Sequence, residues 1–238
     1  GYPDIGLLSM EEMVTNARYI AEGVDISVIV DADNGYGNAL NARRTVQAFE
    51  AAGVAGIHIE DQTWPKRCGH MMGKSLIPKE EMVQKLRAAL DARRDPNFVL
   101  IARCDAYLVN GIEDVFARGD AYIEAGADVL FCEVANNLDH TRAIADYFKD
   151  RAPLLYNHSP SPMVPILTSA EIAEMGFKLD CFYAQPLLAV AKAAKDTLQS
   201  LFETGDSKAV QDQLMPLDEV WEIGGLSNIR EIEKKYAG

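Results

Sequence analysis

The stretch ISVIVDADNGYGNALNARRTVQAFEAAGVAGIHIED, residues 26–61, decides how the chain folds. ISVIVDAD (26–33) reads as a strand. ALNARRTVQAFEAAG (39–53) follows, with apolar residues at helical spacing and a terminal glycine. VAGIHIED (54–61) then returns to a short apolar run. The same alternation continues outward. NFVLIARCDA precedes GIEDVFARGDAYIEAG, ADVLFCEVA precedes LDHTRAIADYFKD, APLLYNHS precedes SAEIAEMG, and LDCFYAQP precedes LLAVAKAAKDTLQSLFETG. With the helix KEEMVQKLRAALDARR (79–94), this makes strand–helix units throughout. Gly53, Gly126 and Gly176 each lie just before a strand, where glycine ends a helix at low steric cost. The strands are near-continuous apolar runs, as expected when both faces are buried. Strict alternation predicts a parallel sheet, open or closed into a barrel.

Bulk properties narrow the function. A formal net charge of −13 argues against nucleic acid as a partner, because phosphate neutralisation needs a basic face. No apolar stretch approaches the ~20 residues of a membrane span. Asp4, Glu11 and Glu12 interrupt the first residues, unlike a signal peptide. Cys68, Cys104, Cys132 and Cys181 form no CxxC pair, so a reducing, cytoplasmic setting is expected.

The polar residues collect at the carboxyl ends of the strands: Asp31 and Asp33, Glu60 and Asp61, Arg103 and Asp105, Glu133, then Asn157, His158 and Ser159. Polar strand ends can simply lead into polar loops. Unpaired charges within buried runs are costly, however, and both barrels and open doubly wound sheets build their sites at this rim. DNGYGNA matches neither a dinucleotide fingerprint nor a P-loop. A further oddity is PKRCGHMMGK (65–74), where Lys66, Arg67, His70 and Lys74 surround Cys68 in an acidic chain. Nearby cations depress a thiol pKa.

DADNGYGN (31–38), HIEDQ (58–62), KRCGHMMGKSLIP (66–78) and IARCDA (101–106), in this order, resemble the isocitrate lyase/phosphoenolpyruvate mutase superfamily, and KRCGH resembles its lyase branch. The resemblance implies an α/β fold, a (β/α)8 TIM-type barrel with extra C-terminal helices. It implies one barrel domain over 1–238, with 187–238 in the interface of a helix-swapped homotetramer. A closed barrel needs eight strands, and six are legible. The family's first βαβ portion is therefore expected to precede GYPDIG. YNHSPSPMVP (156–165) is similar to the Asn-x-Ser-x-Ser of isocitrate lyases, although the chain is shorter than those enzymes.

The implied activity is Mg2+-dependent carbon–carbon cleavage of a small polycarboxylate, a 2-hydroxy di- or tricarboxylate of the isocitrate or 2-methylisocitrate type. The products would be a 2-oxo acid plus succinate or a relative. Alternatives within the superfamily are carboxyphosphonoenolpyruvate mutase, 2,3-dimethylmalate lyase and oxaloacetate hydrolase. A non-catalytic dicarboxylate-binding scaffold is the alternative of another class. The resemblance assigns metal binding (Mg2+, with Mn2+ as substitute) to Asp33, Asp31, Glu60 and Asp4, with Asp61 nearby. Arg103, Glu133, Asn157, Ser159, Ser161 and Gly69 would bind substrate. A salt bridge of Arg103 to Glu133 or Asp105, and a plain Pro/Ser turn, are the structural alternatives. Cys68 would protonate the carbanion left by cleavage, with His70, Lys66 and Arg67 tuning it. Gly69 and Gly73 would let the loop close over the site.

Overall fold

A computed structural model describes residues 1–69, 71–134, 137–160 and 166–237. Two compact units are present, Gly1–Tyr183 and Ala184–Gly238. The first runs α1 (Met10–Glu22), β1 (Ile29–Asp31), α2 (Ala39–Ala51), β2 (Gly56–Glu60), α3 (Lys79–Ala92), β3 (Val99–Cys104), α4 (Tyr107–Asn110), α5 (Ile112–Glu124), β4 (Val129–Cys132), α6 (Leu138–Phe148), β5 (Leu155–Asn157), α7 (Ser169–Met175) and β6 (Leu179–Cys181). The second holds α8 (Gln185–Thr204), a 3-10 helix (Ser207–Gln213), α9 (Leu217–Ile223) and α10 (Leu226–Tyr236).

All strand pairings are parallel. β1 to β4 pair in sequence order, β5 pairs with β6, and a single bridge between Leu130 and Leu154 joins the two sets. Each strand is followed by a helix, which makes this a TIM-type (β/α) barrel architecture. The expected strands and helices all appear. Gly53, Gly126 and Gly176 adopt positive φ just ahead of the next strand, as the helix-ending role requires.

Side chains alternate across a strand, so every second residue faces the same way. One parity packs against the helices: Ile57 and Ile59, Leu100, Ala102 and Cys104, and Leu130 belong to the large core with Phe49, Leu86, Tyr122 and Phe148. The other parity faces the barrel interior. Ile101, Val129, Phe131 and Leu155 form a second, smaller core there, joined by Leu179 and Cys181. This parity carries the next residues, Arg103, Glu133 and Asn157, to the carboxyl-end rim of the interior.

α1 precedes the strand–helix units read from the sequence. Its start is a capping box: Ser9 Oγ accepts from Glu12 N, and Glu12 accepts from Ser9 N. Val14 and Ala17 are its buried face.

Gly119, within α5, shows packing overriding helix propensity. A methyl group there would lie 2.4 Å from Cζ of the fully buried Phe148. Gly to Ala in a helix normally gains up to about 1 kcal/mol. Overpacking costs about 1–3 kcal/mol, so Gly119→Ala is expected to lower the urea unfolding midpoint rather than raise it.

Candidate active site

A cavity of about 530 Å3 opens at the carboxyl ends of the strands. Its walls come from the interior parity: Ile29 and Asp31, His58, Arg103, Phe131 and Glu133, Leu155 and Asn157, Leu179 and Cys181. Asp4, Cys68, Gly69, Asp180, Phe182 and Tyr183 complete it. The cysteine loop therefore sits at the same end as the rim carboxylates.

One side of the rim is a nest of acids around Lys66. Its buried Nζ lies 2.7 Å from Asp33 Oδ1, 2.5 Å from Asp4 Oδ1 and 4.0 Å from Asp31 Oδ2. Burial disfavours the Lys66 ammonium, but Asp31, Glu60 and Asp33 outweigh it and push its pKa up. Burial also acts on Asp31, yet His58, Lys66 and Arg103 together hold that carboxyl below its usual range. Asp33 goes the other way, raised by burial despite Lys66. Asp33 sits at φ 48, in the left-handed region, and its N–H donates to Asp31 Oδ1 at 2.8 Å. Two positions from the thiol in sequence, Lys66 directs its charge at these acids.

Glu60 tests whether this rim suits a cation. Both of its carboxylate oxygens are buried without a hydrogen-bond donor, and its pKa is driven well up by burial. Arg103 Nε is 3.5 Å from Oε2. Among the described residues, no three His, Cys, Asp or Glu side chains converge as a ready-made metal cage. Mg2+ does not need one, because it takes one or two carboxylates and keeps several waters. Hard carboxylate oxygens, two of them orphaned, fit such an ion.

Asp61 is on the other parity and does not join this nest. Tyr122 Oη donates to its Oδ2 at 2.6 Å, and Arg118 Nη1 at 3.1 Å. Asp105 N donates to its Oδ1 at 2.8 Å. Asp61 thus ties β2 to α5 and β3 behind the sheet.

The opposite side of the rim centres on Arg103. Its Nε and Nη2 donate to Asp105 at 3.0 and 3.3 Å, and Glu133 Oε2 lies 3.7 Å from Nη2. Both structural salt bridges allowed by the sequence are therefore present, while the guanidinium also borders the cavity. Burial opposes the Asp105 charge, but Arg103 and Lys74 overcome it and hold its carboxyl at about 2. Asn157 Nδ2 donates to Glu133 Oε2 at 3.2 Å. Ser159 bonds the Tyr183 hydroxyl, and Phe182 stacks on His158 at 4.1 Å.

Cys68 and Gly69 reach the cavity from the loop after β2. Cys68 N donates to Asp4 O at 3.0 Å. Lys74 Nζ donates to Gly69 O at 2.6 Å and to Asp105 Oδ1 at 2.9 Å, so the loop is latched onto the Arg103 pair. Arg67 is exposed and donates to Met72 O at 3.2 Å, and it does not line the cavity. Cys104 and Cys132 are pushed up by burial, as inert core thiols are. His70 and Ser161 lie outside the described residues.

Gly69 has no room for a side chain. A Cβ would lie 2.6 Å from Arg103 Nη2 and 3.0 Å from Glu133 Cγ. Gly69→Ala is expected to lift the loop and cut kcat/KM by roughly 10- to 100-fold. Unchanged circular dichroism would show that the barrel stays folded.

Comparison with known proteins settles the family. The phosphoenolpyruvate phosphomutase family model matches residues 1–202. The chain belongs to the phosphoenolpyruvate mutase/isocitrate lyase superfamily. It is 40% identical over 237 residues to 2,3-dimethylmalate lyase of Eubacterium barkeri, covering 100% of this chain and 81% of that protein. It is 41% identical over 223 residues to 2-methylisocitrate lyase of Aeropyrum pernix, covering 94% and 71%. Among solved structures, phosphonopyruvate hydrolase in complex with oxalate and Mg++ aligns with a TM-score of 0.88 at 31% identity, over 99% of this chain and 82% of that one. The two curated relatives are lyases, the matching family model is that of a mutase, and the chain is an enzyme of this superfamily. Among the described residues, no helix is long and apolar enough to cross a membrane.

Lys74 and Asp105 stand out in the sequence as a loop cation and a strand-end acid, though not as partners holding the cysteine loop. The sequence does not single out Gln62, which also holds that loop, or Phe131, Phe182 and Tyr183, which line the cavity. Phe131 was findable by parity, since it precedes Glu133 by two positions.

Proposed function

We propose that the enzyme is a Mg2+-dependent carbon–carbon lyase acting on a 2-hydroxy di- or tricarboxylate of the methylisocitrate or dimethylmalate type. One observation carries this reading: a single cavity is lined by Cys68 and Gly69 of the cysteine loop, by the buried Arg103, and by Asp4 and Asp31 of the acid nest, with Glu60 and its donor-free carboxylate behind Arg103. The named activities of the two relatives and the ion bound by the hydrolase support it.

Asp33 would hold the ion directly, with Asp31, Glu60 and Asp4 engaged through water. When bound, the ion supplies Lewis acidity that lowers the pKa of the substrate's 2-hydroxyl. Arg103, Asn157 and Ser159 would receive substrate carboxylates, and Ser161 and His70 belong to the same proposal. As the hydroxyl proton leaves to a base, the O–H electrons become the new C=O bond. The carbon–carbon bond pair passes to the departing half, where its carboxylate delocalises it. Cys68 donates its S–H proton to that carbon. Lys66 neutralises the acid nest, and Arg67 braces the loop that carries the thiol. The latch from Gly69 to Asp105 keeps water away from the carbanion. We further propose that 187–238 mediates assembly into a homo-oligomer. Size-exclusion chromatography with light scattering tests this, since a monomer at micromolar concentration would contradict it.

A turnover screen of 2-hydroxy acids with Mg2+, read by mass spectrometry, tests the activity. A 2-oxo acid plus a saturated acid is the expected product pair. Formation of a P–C bond, or oxalate release from oxaloacetate, would replace the lyase reading with a mutase or hydrolase one.

A further inference from the structure

We infer that Gln62 is a positioning residue for Cys68, which deepens the proposed lyase reading and rests on it. Gln62 follows the carboxyl end of β2 and is 1% exposed. Its side chain pairs with the backbone of Arg67 in both directions. Nε2 donates to Arg67 O at 2.8 Å, and Arg67 N donates to Oε1 at 2.9 Å. Only one orientation of the amide makes both bonds. This reciprocal pair imitates a rung of a β-ladder and fixes both the position and the tilt of the Arg67 peptide units.

Arg67 lies between two residues with separate tasks. On one side, Lys66 runs into the acid nest, and on the other, Cys68 lines the cavity. Tilting the Arg67 backbone would move both. Gln62 also anchors the rest of the neighbourhood through its backbone. Its carbonyl accepts from Asn34 Nδ2 at 3.4 Å, next to Asp33, and an antiparallel bridge to Leu76 closes the neck of the cysteine loop. The acid-bearing loop, the loop neck and the cysteine peptide thus meet at one buried residue.

Gln62 does not border the cavity. Arg103 and Asn157, which do, belong to β3 and β5 and make no hydrogen bond to it. Loss of the amide should therefore disturb the thiol more than the substrate carboxylate sites. A side chain needed only to fill space could be Met, since burial alone requires no amide.

The test uses the full chain with Gln62→Met, which keeps volume and loses both bonds, and Gln62→Glu, which keeps shape and loses the Nε2 donor. Both are expected to lower kcat by roughly 10- to 100-fold, with KM within about threefold of wild type. Alkylation of Cys68 by iodoacetamide, followed by peptide mass without substrate, should change about fivefold or more in rate. Cooperative urea unfolding confirms the fold. Wild-type alkylation rates, with kcat within about twofold in both variants, would overturn the inference. The two readings separate cleanly. If Cys68→Ser stays active while Gln62 variants alter alkylation, the acid role fails and the positioning role stands. If Cys68→Ser is inactive while Gln62 variants behave as wild type, the positioning role fails alone.

Discussion

Cys68→Ser is expected to lower kcat by about 10²–10⁴-fold, the usual range for removing a general acid, with KM little changed. Serine preserves the shape of the loop and the backbone bonds to Asp4 O and from Met71 N. Its hydroxyl is a far weaker acid than a thiol, so the carbanion waits for a proton. Of the other cysteines, Cys181 also lines the cavity, but burial pushes its thiol up, and Cys104 and Cys132 do not reach the cavity. Cys104 is fully buried and Cys132 lies deep in the sheet, both with pKa values raised by burial. A kcat/KM split distinguishes the outcome from loop damage. A fall in kcat alone fits an interaction made only in the transition state, whereas a rise in KM would indicate lost binding. Retention of wild-type kcat would remove Cys68 from the chemistry.

Arg103→Met is expected to cost both folding and turnover. Arg103 faces Glu60, Asp105 and Glu133 within a buried rim. Burial disfavours its charge, but these acids outweigh that and push its pKa well up. Removing one partner of a buried ion pair costs roughly 3–5 kcal/mol, because the remaining charges stay uncompensated. Met also keeps contact with Phe131, over which the guanidinium now lies at 5.0 Å. The expected result is a large drop in the urea midpoint, together with loss of saturation by any polycarboxylate. Unchanged stability with lost binding would mean that the acids take up protons and that Arg103 serves substrate alone.

The architecture was legible because its signals are local. Each strand is a short apolar run, and each helix carries its own periodicity. The rim could be read because buried strands cannot end in charges without reason. The orientation of single side chains was harder. Asp61 looks like a neighbour of Glu60 in sequence, yet a strand turns adjacent residues to opposite faces, and Asp61 meets Arg118 and Tyr122. Lys66 looks like a neighbour of Cys68, yet its long stem reaches Asp4 and Asp33. Lys74 pairs with Asp105, 31 positions away. Such pairings exist only once the barrel brings β2 and β3 side by side. α1 carries both helix signals, the Ser9 and Glu12 capping box and an apolar stripe of Met10, Met13, Val14, Ala17 and Ala21, but it stands ahead of the first strand and outside the strand–helix alternation.

Beside the cavity, Asp4, Asp31 and Asp33 share, among the described residues, the single ammonium of Lys66. A polycarboxylate entering this rim would meet surplus negative charge. A divalent cation removes that conflict. Calorimetric titration of the full chain with oxalate, with and without Mg2+, tests this account most directly. Affinity should rise by roughly 100-fold or more, about 3 kcal/mol, when Mg2+ is present, and the gain should vanish in Asp33→Asn. Equal oxalate affinity in EDTA and in Mg2+ would contradict it.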